Sequence, residues 1–158
     1  MNKKAYLPRI CDWELQKSLN AMGAVLIEGA KWCGKTSTAV NAALRMSRDY
    51  VEAIIHQDIS RVDGVAKNPN RVRLLLRSLA RNITTMASVE TIVKDVEATE
   101  TSISDKTFAN YYNALRRIFV IEDMPAWSPL LRSKTAIRTS PKHHFVDPSI
   151  ATAVMRLN

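Results

Sequence analysis

A chain of 158 residues that is 46% hydrophobic and 24% charged can bury a core, but it has no apolar run long enough to span a bilayer. Lys3 and Lys4 are not followed by an apolar signal segment, so a cytoplasmic protein with no membrane partner is expected. The formal charge of +8, from 23 Lys and Arg against 15 Asp and Glu, suggests a polyanionic partner, while Cys11 and Cys33 offer neither a zinc spacing nor a disulfide framework.

In chain order, Asp12 is placed to cap a short helix carrying Trp13, Leu15 and Leu19, which Asn20 and Gly23 end. Ala24 to Glu28 is a short apolar run with strand character. Thr36 to Met46 sets Ala39, Val40, Ala43 and Leu44 on one helical face. Between them, Gly29-Ala30-Lys31-Trp32-Cys33-Gly34-Lys35-Thr36 matches G-x-x-x-x-G-K-[ST], the Walker A phosphate-binding loop (P-loop). Gly29 and Gly34 let such a loop curl, so that its N–H groups and the helix N-terminus face phosphate oxygens. Lys35 then reaches the β- and γ-phosphates, and the Thr36 hydroxyl joins the Mg²⁺ shell. The candidate nucleotide-binding residues are Gly29, Cys33, Gly34, Lys35, Thr36 and Ser37, with Thr36 also the metal candidate. ATP and Mg²⁺ are the expected cofactors.

No Gly or Pro occurs between Gly34 and Gly64, and Tyr50, Val51, Ile54, Ile55 and Ile59 keep a helical rhythm where a nucleotide-binding fold returns to its sheet. Asp63-Gly64 marks a turn. Asn68-Pro69 opens a helix with Val72, Leu75, Leu76, Leu79 and Ile83 as its apolar stripe. Arg73, Arg77 and Arg81 share another face, within a stretch from Lys67 to Asn82 that has no acid. They read either as a solvated surface or as contacts to an acidic or nucleic-acid partner.

Ser88 caps a helix with Val89, Ile92, Val93 and Val96 inward. After a polar turn, Ser104 caps another, in which Ile103 and Phe108 have the spacing of a hydrophobic staple. There Phe108, Tyr111, Tyr112, Leu115 and Ile118 face the core, and Lys106, Asn110, Asn113 and Arg117 lie opposite. This order is helix, turn, helix, and the exposed set has the residue types that reach bases and phosphates of duplex DNA. Phe119 to Asp123 reads as a strand. It also looks like the acid-ended run that holds Mg²⁺ in P-loop enzymes, but its placement favours the first strand of a wing. Thr135 to Arg138 and His144 to Val146 are the other wing strands. The acid-free interval with Arg132, Lys134, Arg138 and Lys142 supplies further phosphate contacts. His143 and His144 have no cysteine partner for a metal site. Asp147-Pro148 caps a last helix, whose stripe of Ile150, Ala151, Val154 and Leu157 is expected to need a partner.

Several strings, in order, resemble bacterial and archaeal AAA-superfamily P-loop ATPases with a C-terminal domain of unknown function. They are Tyr6 to Ile10, Gly23 to Thr36, Asp58 to Gly64, Phe119 to Asp123 with Pro125 to Pro129, Arg132 to Arg138, and His144 to Ser149. The resemblance implies ATP binding through Gly29, Gly34, Lys35 and Thr36. Against that family, the rest of the ATPase core, with its acidic second motif and sensor region, is missing between Ala42 and about Asp49, and the usual nuclease-like tail is not reached. Weak or absent hydrolysis is therefore expected, in an internally deleted and C-terminally truncated relative. The alternative is a DNA-binding module with a relic phosphate loop.

The expected fold is mainly α with minor β: a strand, P-loop and helix unit, then a helical segment and a winged-helix-like module from about Ser88 to Asp147. The division is 1–64 for the P-loop segment and 65–158 for the rest. An isolated strand and an uncovered helix predict self-association or a protein partner.

Overall fold

The computed structural model describes residues 6–85, 87–98, 103–127 and 139–156. It is mainly helical with one small two-stranded sheet. Contacts separate two compact units, Met1–Asp49 and Tyr50–Asn158, so the division falls within a helix, ahead of the 64/65 boundary that the turn at Gly64 suggests.

In the first unit, α1 (Ile10–Ala21) begins before Asp12. Asp12 is therefore not the cap but the third helical residue. Its Oδ2 accepts the Arg9 N–H at 2.9 Å, and its own N–H donates to the Arg9 carbonyl at 3.1 Å. The Tyr6 hydroxyl donates to Asp12 Oδ1 at 2.6 Å and lies 3.3 Å from Thr38 Oγ1 on α2 (Lys35–Ala53). These hydrogen bonds, Tyr6 first and then the Arg9 N–H, hold the Asp12 carboxyl below its ordinary range. Leu15 is buried as expected, whereas Trp13 stands in solvent.

Ala24 to Glu28, expected as a strand, forms none. A strand exists only if a neighbour takes its N–H and C=O groups, and the one sheet among the described residues is made of segments after Val120. Leu26 is left 81% exposed.

In the second unit the helical rhythm continues without a break, through a π-helical turn (Ile54–Asp58) into α3 (Ile59–Arg61). This run buries Ile54, Ile55 and Ile59 almost completely. Asn68 caps α4 (Pro69–Arg81), its side chain accepting from the N–H groups of Asn70 and Arg71. α4 buries Val72, Leu75, Leu76 and Leu79 and is the centre of the unit. The π turn, α5 (Val89–Glu97), β2 (Lys142–Phe145) and α7 (Pro148–Val154) all pack on it.

Ser88 and Ser104 cap α5 and α6 (Asp105–Arg117) through the N–H groups of Thr91 and Thr107. α6 lays Phe108, Tyr111, Tyr112 and Leu115 into the core and packs on α3 and β1 (Ile121–Met124). β1 and β2 are antiparallel, with Ile121 opposite Phe145 and Met124 opposite Lys142.

Three expectations shift. Phe119, at φ 55°, ends α6 in a left-handed turn with its ring exposed, so β1 starts at Ile121 and not at Phe119. β2 starts at Lys142 and not at His144. Ile150, Ala151 and Val154 on α7 are covered by α4 and β2, so the stripe expected to need a partner finds one in its own chain. Thr135 to Arg138 and Leu157 lie outside the described residues.

Candidate functional site

The loop from Gly29 to Thr36 curls through two left-handed residues, Trp32 at φ 66° and Gly34 at φ +84°. The α2 ladder begins at Gly34, whose carbonyl accepts the Thr38 N–H at 3.1 Å. The N–H groups of Lys35, Thr36 and Ser37 are thus the first donors of a 19-residue helix and have no partner within it. Such an end favours an anion. Lys35 folds back over the loop, donating from Nζ to the carbonyls of Gly29 and Ala30 at 2.7 Å each and lying 3.8 Å from Cys33 Sγ. A Cβ on Gly29 would press on that sulfur at 3.1 Å. Gly29, Cys33, Gly34 and Lys35 therefore gather in one small arch, with Thr36 and Ser37 exposed on the helical turn behind it.

Arg9, which the sequence reading passed over, also reaches the arch. Its Nη1 donates to the Cys33 carbonyl at 2.5 Å, and its guanidinium stands where a Cβ on Gly34 would be. Only the fold brings together residues 24 positions apart. Locally the sequence carries only half of a capping box, the Asp12 carboxylate that accepts the Arg9 N–H.

On α6, Lys106, Asn110, Asn113 and Arg117 are all exposed, as expected. Lys142 is half-buried on β2. Arg132, Lys134 and Arg138 lie outside the described residues. The acid-free stretch from Lys67 to Asn82 is less free in space than in sequence. Arg73 pairs with Glu52 at 2.7 Å, and Arg81 lies 3.6 Å from Asp95. The buried Lys67 binds Asp63 at 2.7 Å against the Tyr111 ring, and its donated hydrogen bonds hold the Asp63 carboxyl below its usual range. Arg77 remains exposed, on the rim of a cleft of ≈ 190 Å³ that Arg73 and Arg156 also line.

A buried polar knot joins α6 to the hairpin. Asp123 and His143 are register partners on β1 and β2, with His143 Nδ1 2.8 Å from Asp123 Oδ1. The Tyr112 hydroxyl donates to the same carboxylate oxygen and lies 2.6 Å from His143 Nδ1, while Arg116 Nε is 3.3 Å from Asp123 Oδ2. Burial, and then the Asp123 carboxylate beside it, push the Tyr112 hydroxyl well above the ordinary tyrosine range. Asp123 is thus engaged on both oxygens within the fold. Among the described residues, no group of three or more His, Cys, Asp and Glu side chains is placed to hold a metal ion, and no helix is long and apolar enough to cross a membrane.

Comparison with curated proteins finds no match, and comparison with solved structures finds none either. A family model matches residues 35–158, which takes in α2 and every later element and leaves out Arg9 and the first six residues of the loop. The chain belongs to the family described as Domain of unknown function (DUF8612).

Proposed function

We propose that the chain binds ATP through Gly29 to Thr36, in the manner of the AAA-type P-loop ATPases it resembles, with little or no hydrolysis. The observation that carries this reading is the Lys35 ammonium folded over the carbonyls of Gly29 and Ala30 at the open N-terminus of α2. A cation and the free backbone donors of a helix N-terminus meet there, the two elements that hold a phosphate. On binding, Lys35 exchanges the carbonyls for β- and γ-phosphate oxygens, and Thr36 offers its hydroxyl to Mg²⁺, whose charge offsets that of the triphosphate. Hydrolysis also needs an acidic residue for the metal and a group that orients water. Asp123, the best acidic candidate by sequence, is engaged by Tyr112, His143 and Arg116.

Calorimetry with MgATP on the wild type and Lys35→Ala tests the reading. Lys35→Ala is expected to weaken binding by roughly 10- to 100-fold, the worth of a charge-assisted contact, with the far-UV circular dichroism unchanged. Equal affinities reject it.

A second reading has its own observation: Lys106, Asn110, Asn113 and Arg117 are exposed together on α6, the helix directly ahead of the β1–β2 hairpin. In a winged-helix module that helix enters the major groove of duplex DNA. In this alternative the phosphate loop is a relic, and MgATP binding by the wild type tells the two readings apart.

A further inference from the structure

We propose that Arg9 is a second phosphate-binding cation of the Gly29 to Thr36 loop, an inference that rests on the ATP-binding reading above. The backbone of Arg9 is fixed from both sides. Its N–H is held by Asp12 Oδ2, its carbonyl by the Asp12 N–H, and Asp12 in turn by the Tyr6 hydroxyl. From that anchor the side chain crosses to the loop. One guanidinium nitrogen takes the Cys33 carbonyl, and the group lies over the bare Cα of Gly34.

A glycine at φ +84° leaves an uncovered stretch of backbone at the mouth of the arch, where a ligand can come close. Here the guanidinium occupies that place. Arginine has five N–H donors, and Arg9 commits Nη1 to a neutral carbonyl. Among the described residues no carboxylate is in ion-pair contact with its guanidinium, although, behind the Tyr6 and Arg9 N–H hydrogen bonds, its charge also helps hold the Asp12 carboxyl low. Lys35 is in the same condition, bonded to carbonyls and to no acid. Two cations held on neutral acceptors at one helix N-terminus form a site whose charge a polyphosphate would balance. A phosphate oxygen is a stronger acceptor for guanidinium than a peptide carbonyl. On nucleotide binding Arg9 therefore releases the Cys33 carbonyl and donates to a phosphate oxygen, while Lys35 moves to its own. No bond other than these hydrogen bonds changes.

The experiment is calorimetric titration of the full chain with MgATP, across a series of NaCl concentrations, for the wild type, Arg9→Ala, Arg9→Gln and Arg9→Lys. Expected is at least a tenfold loss of affinity in Arg9→Ala and Arg9→Gln, with a shallower salt dependence, and affinity within about threefold of wild type in Arg9→Lys, which keeps the charge. Arg9→Gln keeps the side-chain stem and a donor, so it carries the test if Arg9→Ala folds poorly. Wild-type affinity in the uncharged variants overturns the inference and leaves the ATP reading standing. An Arg9→Lys variant as weak as Arg9→Ala, or an unchanged salt dependence, overturns it as well, because Arg9 would then clamp the Cys33 carbonyl through its fork. Absence of ATP binding by the wild type overturns both together.

Discussion

Asp123 illustrates how one side chain can be read two ways until its neighbours are known. At the end of an apolar run it resembles a magnesium ligand; in the fold it is the acceptor at the centre of the Tyr112 and His143 knot. Removing a partner from a buried network leaves the remaining groups desolvated, which costs about 1–3 kcal/mol. Tyr112→Phe should lose about that much in urea unfolding, and Asp123→Ala more, since it strips Tyr112, His143 and Arg116 of one acceptor at once. A neutral Asp123→Ala would show that the knot does not stabilise the unit.

Asp12 gives a pH prediction. Its folded pKa is depressed by the Tyr6 and Arg9 hydrogen bonds, so its contribution is present above the ordinary carboxylate pKa and is lost as pH falls through the lower folded value. The melting temperature of the wild type should exceed that of Asp12→Asn at neutral pH, and the gap should close on acidification below about pH 4. A gap that does not depend on pH would assign the effect to shape alone.

At the scale of elements, four helix caps were legible because each is a contact within a few residues, whereas Asp12 proved to be the third residue of its helix. Asn68, Ser88, Ser104 and Asp147 all sit where the sequence puts them, and each accepts a backbone N–H from the first turn of its helix. Ser104→Ala should cost about 1 kcal/mol by thermal or urea unfolding, the usual worth of such a cap. Leu76 is fully buried on α4, the helix on which the π turn, α5, β2 and α7 pack. Leu76→Ala should cost about 2–5 kcal/mol, the range for a cavity that surrounding side chains refill only in part. A loss under 1 kcal/mol would mean that the core around α4 closes over the gap. Strands were less legible than helices, since the apolar run Ala24 to Glu28 reads locally as a strand yet has no pairing partner among the described residues.

For the whole molecule the relevant quantity is charge, +8 in total and only partly cancelled in space, since Lys67, Arg73 and Arg81 have acidic partners while the α6 face is exposed. If that face meets DNA, the logarithm of duplex affinity falls linearly with the logarithm of salt, and each phosphate contact contributes about 0.9 to the slope. The Lys106→Ala, Arg117→Ala double variant should flatten the slope by up to about 1.8, measured by fluorescence anisotropy. An unchanged slope would take α6 off the DNA, and no binding at low salt would remove the second reading altogether. The expectation of self-association loses one of its two grounds, because α7 is covered. The other changes as well, since Ala24 to Glu28 forms no strand and what remains there is the exposed Leu26.

What the sequence determined by itself was whatever depends on near neighbours. The helix rhythm through Ile59, the caps, the turn at Asp63-Gly64 and the spacing of Gly29, Gly34, Lys35 and Thr36 are written within windows of a few residues, where backbone geometry and side-chain reach act directly. Tertiary structure decided what depends on partners far along the chain. It paired Asp123 with His143, covered α7 with α4, gave Arg73 its Glu52, left Ala24 to Glu28 without a sheet, and carried the Arg9 guanidinium across to Gly34. A hydrogen bond needs two groups within about 3 Å and an ion pair within about 4 Å, and only the folded chain brings such distant groups that close.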